Sequence, residues 1–313
     1  MKKILLTGSL ALLLGLSQAH AADKTIHISY VKAPFNLQMI VMKERGLLEQ
    51  QVEKLGTAVK WHEIASGAKQ AQALASGALD IAGVMNTSSV LMANGEGNAV
   101  KIIAGVSRPT GTFAIIAKKG GVTSIADLKG KKVAGPKGTV LHQMLVAALV
   151  QHGLTMKDIQ FVQMDIPQAF VALQSNQVDA ALLAATSVIK AEQEGAKVLT
   201  TAAGLVVPKL VMASSEAVVK NHPNWIKAVI AAHDEAGKWI EEHKVEAIEL
   251  GAKVQGISVQ DAQQLFDGSN FTQRMNQGDI DSMKDDVRFM LDNDMMRNSP
   301  DVSAIVIPQA MER

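Results

Sequence analysis

The 313-residue chain has no cysteine, so it can build no disulfide framework, no thiolate metal site and no cysteine nucleophile. Aromatic residues make up only 4%, with one tyrosine and three tryptophans, which argues against recognition by stacking. Charge of one sign is lacking too: 31 basic side chains face 30 acidic ones, so nucleic acid and anionic membrane lose their usual electrostatic attraction. Glycine and proline are too sparse, and the 48% apolar content too high, for a disordered chain. The remaining class is a globular protein with the length of about two domains, whose partner is a small molecule or another protein.

The first residues stand apart. Lys2 and Lys3 precede an apolar run over residues 4–17, broken by Thr7, Gly8, Ser9, Gly15 and Ser17, and Ala19-His20-Ala21 places small residues two apart. This pattern predicts a secretory signal peptide over residues 1–21 and a mature chain from Ala22. The run is short of the ~20 residues of a membrane span. Export without cysteine predicts a protein free of lipid anchor and disulfides, and a bacterial periplasm suits it best. Without Lys2 and Lys3 the mature chain has 29 basic and 30 acidic side chains, formally −1.

Beyond the leader, β-type runs alternate with helical ones. Ile26 to Tyr30 is β-rich, and Asn36 to Arg45 has helical spacing closed by Gly46, a left-handed stop. Val59, Trp61 and Glu63 alternate as in a strand, Ser66 caps a helix to Ser76, and Leu79 to Val84 is the next strand. Such βαβα order implies a mostly parallel sheet.

An internal echo follows. Residues 73–82 (ALASGALDIA) align with residues 172–181 (ALQSNQVDAA), five identities in ten, and Gly77 faces Asn176, the two residue types that best tolerate a left-handed helix end. Upstream, Val133-Ala134, a Gly135-Pro136-Lys137-Gly138 loop and a helix from Thr139 to His152 ended by Gly153 repeat the plan of Ile26 to Leu47. Two similar α/β lobes are expected, 22–108 with 211–313 forming lobe 1 and 109–210 forming lobe 2. The chain then crosses twice, near Ser107 to Thr112 and along Leu205 to Ser214, and a pair of crossings is a natural hinge. Helices opening at Pro223, at Ser258 with Asp261, and over Ile280 to Met295 would complete lobe 1.

The helix ending Lys43-Glu44-Arg45-Gly46-Leu47-Leu48, the Ala73 to Ala82 segment and Ser124-Ile125-Ala126-Asp127-Leu128-Lys129-Gly130-Lys131-Lys132-Val133 together resemble the periplasmic solute-binding proteins of ABC importers. The chain is most similar to the branch with aliphatic sulfonate, taurine and nitrate binders. This resemblance implies an α/β type II periplasmic binding protein, two lobes each with a mixed, mostly parallel sheet flanked by helices and two hinge crossings. It also implies a monomer that serves an inner-membrane ABC permease and its cytoplasmic ATPase, with no cofactor and no metal. The motifs belong to the framework and do not read the ligand.

Ligands of open α/β sheets bind beyond the carboxyl ends of strands, at helix N-termini with free N–H groups. The candidate loops are Ala33 to Asn36, Asn86 to Ser89, Lys137 to Thr139, and Ala185 to Ser187. Asn36, Asn86, Thr87, Ser88, Thr139 and Thr186 are therefore candidate contacts for an oxyanion, or else ordinary caps. Arg108, beside the Thr110 crossing residue, offers a two-pronged contact, Lys137 a charge and Gln168 an amide, with a solvated surface role as the alternative for each. Tyr30 and Phe35 would wall the ligand's tail or belong to the core, and His142 faces the cleft or the helix surface.

Enzyme signatures are lacking: no Gly-x-Ser-x-Gly elbow, no His-Glu-x-x-His helix and no phosphate loop. The acidic group Asp279, Asp281, Asp285 and Asp286 reads as a solvated helix face, and the methionines Met39, Met42, Met144 and Met156 as core. The alternatives to an oxyanion binder are a binder of a thiamin-pyrimidine-type heteroaromatic and a non-transport enzyme of the same fold.

Overall fold

The structure, a computed structural model, describes residues 24–31, 35–64, 66–109 and 111–312. The signal-peptide reading and Thr110 lie outside these residues. Along the chain, β1 (Thr25–Tyr30), α1 (Leu37–Glu44), α2 (Leu47–Glu53), β2 (Ala58–Glu63), α3 (Gly67–Ala75), β3 (Ile81–Asn86), α4 (Thr87–Gly95) and β4 (Val100–Ser107) come first. After a crossing come β5 (Phe113–Ala117), β6 (Lys132–Gly135), α5 (Val140–Gln151), β7 (Gln160–Gln163), α6 (Ile166–Gln174), β8 (Ala180–Ala184), α7 (Thr186–Gln193) and β9 (Lys197–Thr201). The chain returns through β10 (Leu210–Ser215) and ends in α8 (Glu216–Asn221), α9 (Pro223–Glu242), α10 (Lys244–Gln255), α11 (Val259–Asp267) and α12 (Gln277–Asp292), with short 3₁₀ turns beyond.

Two five-stranded sheets result, in the orders β2-β1-β3-β10-β4 and β7-β6-β8-β5-β9. Both follow one plan. In each, the first, second and third strands of a βαβ run pair in parallel, and one antiparallel strand separates the third from the fourth. That antiparallel strand is in each case the first one made after a crossing, β5 in one sheet and β10 in the other. The repeated segments occupy equivalent places: the α3–β3 and α6–β8 joints turn through Gly77 (φ 72°) and Asn176 (φ 57°), both left-handed. Only residues with little cost in that region fit there.

Helices cover both faces of the first sheet. Helix α9 packs on α1 and α2, and α12 packs on α4, so the C-terminal helices complete the lobe that opens the chain. Met39, Met42 and Met144 are buried in the core. Several boundaries differ from expectation: the strand expected over Leu79 to Val84 is Ile81–Asn86, the last long helix ends at Asp292 rather than Met295, and two starts move for local reasons. Strand β10 begins at Leu210 because Leu205 and Val206 instead turn back onto the Ala202 carbonyl, at 3.0 Å each. Helix α12 begins before Ile280 because Asn276 and Asp279 form a reciprocal cap.

Candidate ligand cleft

A small cavity of about 40 Å³ lies between the lobes, lined by Ser66, Gly67 and Asn86 from the first lobe and by Phe113, Pro136, Thr139, Val140, Leu141 and Ile166 from the second. Four helices begin there, α3, α4, α5 and α6. α3 and α5 receive no side-chain cap from their N-cap residues, Ser66 and Thr139. Their first N–H groups have no acceptor within the helix, so both ends carry partial positive charge into the cavity wall. The Thr139 hydroxyl turns back to the Pro136 carbonyl at 2.8 Å. α4 is capped by Asn86, whose Oδ1 accepts from the Ser89 N–H at 2.9 Å, the Ser89 hydroxyl at 3.0 Å and, across the cleft, the Val140 N–H at 3.1 Å. The Asn86 Nδ2 makes no hydrogen bond to the described residues and remains a donor for the cavity.

Close approach of α3 and α4 requires glycine at position 67. A Cβ there would stand 2.7 Å from the Ser89 hydroxyl and 3.0 Å from Asn86 Nδ2. Gln70, fully buried, fixes α3 by accepting from the Ser29 hydroxyl at 2.7 Å and donating to the Val84 carbonyl at 2.9 Å. Among the described residues, none that lines the cavity is ionisable.

The lobes touch around this cavity. The Ser88 hydroxyl donates to Gln143 Oε1 at 2.6 Å, and Gln143 Nε2 donates to Asp286 Oδ1 at 2.7 Å. The Ser89 hydroxyl donates to the Gly138 carbonyl at 2.8 Å, and Lys69 pairs with Asp165 at 2.5 Å. Asp286 continues to Lys209 Nζ at 3.5 Å, and Lys209 is only 2% exposed. Burial pushes the Asp286 carboxyl up and the Lys209 ammonium down, each opposed by attraction to the other.

The expected contacts divide accordingly. Asn86 and Thr139 line the cavity, while Thr87 and Ser88 lie buried beside it, the Thr87 N–H donating to the Lys209 carbonyl at 3.0 Å. Arg108 is turned from a ligand role. Its Nε and a terminal nitrogen hold both oxygens of Asp279 at 2.9 and 2.5 Å, because a carboxylate only 6% exposed needs a compensating cation. Phe35 is core, 2% exposed and 6.4 Å from the Phe271 ring, packed where Gly251 leaves room. Tyr30 donates to Glu63 at 3.3 Å under the Lys43 ammonium, outside the cavity lining. Asn36, 1% exposed, donates to the Val31 carbonyl at 2.9 Å. Gln168 belongs to the cap of α6, accepting from the Asp165 N–H at 3.2 Å. Thr186 opens α7 outside the lining, and Lys137 lies on a neighbouring cavity. Ser66 and Gly67 escaped the sequence reading as ligand contacts, although a small residue following a cap residue was their signal. The solvated-face reading of the acidic group fails for two of four members, since Asp279 is buried against Arg108 and Asp286, its side chain 12% exposed, pairs with buried Lys209.

Two lobes of one topology meeting over a cavity at helix N-termini define the periplasmic binding protein fold. The family model described as NMT1/THI5 like matches residues 37–247, and the chain belongs to that family. An Escherichia coli relative named "Putative aliphatic sulfonates-binding protein" is 25% identical over 256 residues, 82% of this chain and 79% of the relative. The structure of the alkanesulfonate-binding protein SsuA from Xanthomonas axonopodis pv. citri bound to MOPS superposes with a TM-score of 0.79 at 21% identity, covering 90% of this chain and 98% of that one. The desulfurization enzyme DSZB shares the fold as well, with a TM-score of 0.66 at 14% identity over 91% of this chain and 97% of its own. The fold alone therefore accommodates both binding and catalysis.

Proposed function

We propose that this chain is the periplasmic solute-binding component of an ABC importer, that it closes on a small oxyanion of the sulfonate type, and that it delivers this solute as a monomer to an inner-membrane permease with a cytoplasmic ATPase. One observation carries the reading: the inter-lobe cavity is bounded by the N-termini of α3 and α5, neither capped by its own N-cap residue, and by the Asn86 amide, which takes the Val140 N–H of α5, with no ionisable side chain among the described lining residues. Such a site suits an anion that stays ionised at every relevant pH, because dipoles and N–H donors stabilise it without a titrating partner. The lack, among the described lining residues, of an acid or base that could activate the Ser66 or Thr139 hydroxyl supports binding rather than catalysis. The names of the relatives support sulfonate as the head group. Lobe 1 would comprise 22–108 and 211–313 and lobe 2 109–210, so that closure bends the crossings beside Arg108 and Lys209.

Titration calorimetry with methanesulfonate, taurine and nitrate tests this reading, with binding in the micromolar range or tighter expected for at least one of them. Small-angle scattering should show contraction on saturation. Binding of a pyrimidine but of no oxyanion would overturn the proposal in favour of a heteroaromatic binder.

A second expected result concerns Asn86. Asn86→Ala should weaken oxyanion binding by about 1.5–3 kcal/mol, the range for a hydrogen bond to a charged group. It also removes the acceptor of the Val140 N–H, so the loss should exceed that of Thr139→Val, whose hydroxyl already serves Pro136. Calorimetry on both variants ranks them, and equal losses would show that Asn86 has no direct part.

A further inference from the structure

Gln143 of α5 reaches from the second lobe between two helices of the first, and both ends of its amide are taken there. Its Oε1 accepts from the Ser88 hydroxyl of α4 at 2.6 Å, and its Nε2 donates to Asp286 Oδ1 of α12 at 2.7 Å. We infer that Gln143 is a latch: it holds the lobes together through protein contacts alone, so that the closed form is populated before solute arrives and solute exchange waits on its release. The inference goes beyond the proposed function and is independent of which solute the cleft takes.

Separation from the cavities is the first argument. The contacts of Asn86 with Val140 and of Ser89 with Gly138 lie in cavity walls, where a solute can replace them. Ser88, Gln143 and Asp286 line neither the small cavity nor the neighbouring one that holds Lys137. Ser88 and Gln143 are each 1% exposed, so water competes little for their bond. The other inter-lobe tie, Lys69 with Asp165, leaves the lysine 59% exposed, and solvated pairs of this kind hold little.

The kind of contact supplies the second argument. Helices α4 and α12 bury Val90, Leu91, Met283, Val287 and Met290 in a core that no described residue of α5 joins, while Leu141, Met144 and Leu145 of α5 belong to a different core. Hydrogen bonds, rather than shared apolar packing, therefore tie α5 to these helices. Water can take over such bonds when the lobes part, which makes the joint reversible. Asp286 also pairs with Lys209 on the return crossing at 3.5 Å, so the latch and one hinge connection share a carboxylate. A contact made in the closed form alone shifts the population towards it: a solute that binds this form gains apparent affinity, while its entry slows as the open fraction shrinks.

The test reads the ligand-free protein by double electron–electron resonance between nitroxides on Ala75→Cys of α3 and Val171→Cys of α6, both exposed, in a chain without other cysteines. These helices start beside one another at Lys69 and Asp165, so opening of the lobes lengthens the separation. Without further change, one short separation should predominate. Gln143→Glu sets a second carboxylate against Asp286 and should lower the closed-to-open ratio about tenfold or more, the factor that one hydrogen bond to a charged group supplies. Adding Asp286→Asn to Gln143→Glu exchanges donor and acceptor, keeps one negative charge in the network, and should restore most of the closed form. Ser88→Ala, small enough to spare the fold, should lower the ratio in the same direction, and it decides the matter if Gln143→Glu does not fold. A mostly open starting protein, an unchanged ratio in Gln143→Glu or Ser88→Ala, or no recovery in the double variant overturns the latch. None of these outcomes touches the sulfonate reading, which calorimetry tests separately.

Discussion

Asp286→Ala is expected to destabilise the protein by about 3–5 kcal/mol, the cost of stripping the partner from a buried charge. Lys209, 2% exposed, would keep only the Val207 carbonyl at 2.9 Å, while Gln143 would lose the acceptor that ties α5 to α12. The position explains the size of the effect. Lys209 lies on the return crossing and Arg108 on the outward one, and both are held by α12, through Asp286 and Asp279. Seven residues apart, these carboxylates sit two turns apart on one helical face, so a single helix fixes both connections between the lobes. Urea unfolding measures the loss. The double variant Lys209→Met with Asp286→Leu removes both charges and should regain most of the stability. If it is as unstable as Asp286→Ala, the stranded charge is not the cause.

This pairing also marks where sequence reading stops. The plan of both lobes was legible because local chemistry repeats: a helix, a left-handed residue and a buried strand recur, and Gly77 and Asn176 adopt the required positive φ. Helix ends with self-contained signals were legible too, such as Ser258 accepting from the Asp261 N–H at 3.0 Å. Asp279 and Asp286 looked like a solvated face because their partners are far away in sequence, Arg108 at a separation of 171 residues. A long-range pair leaves no mark on local periodicity. The cleft divides in the same way. Asn86 was readable as a residue at a strand end before a helix, whereas its reach to the Val140 N–H depends on how the lobes meet. Phe35 in the core and Arg108 on Asp279 show the converse: residue type suggests chemistry, and tertiary neighbours decide how a side chain is engaged.

Stability is expected to fall by several kcal/mol between about pH 6.5 and about pH 4, through two buried histidines. His233 of α9 is fully buried with neither ring nitrogen hydrogen-bonded, and His142 is nearly so. Burial drives each from 6.5 to about 4; Lys137 adds to the effect at His142, while at His233 Asp234 opposes it and Arg274 reinforces it. A folded value below the unfolded one means that the unfolded chain takes up the proton first. Each contribution is therefore complete above about pH 6.5 and lost as pH falls through the folded value, on the order of 3 kcal/mol per histidine. Asp286 works in the opposite sense, its raised folded value favouring the folded state as it protonates, and this offsets part of the loss. Asp279, held below its ordinary value by Arg108 against the effect of burial, gives up its contribution only at lower pH. Thermal unfolding across this window separates the histidines. His233→Phe should remove about half of the histidine-linked pH dependence, whatever its effect at neutral pH, since the slope counts protons and not packing. An unchanged slope in that variant would assign the acid sensitivity to His142 and the carboxylates, and would mean that His233 finds a partner, such as a buried water, that lets it charge in place.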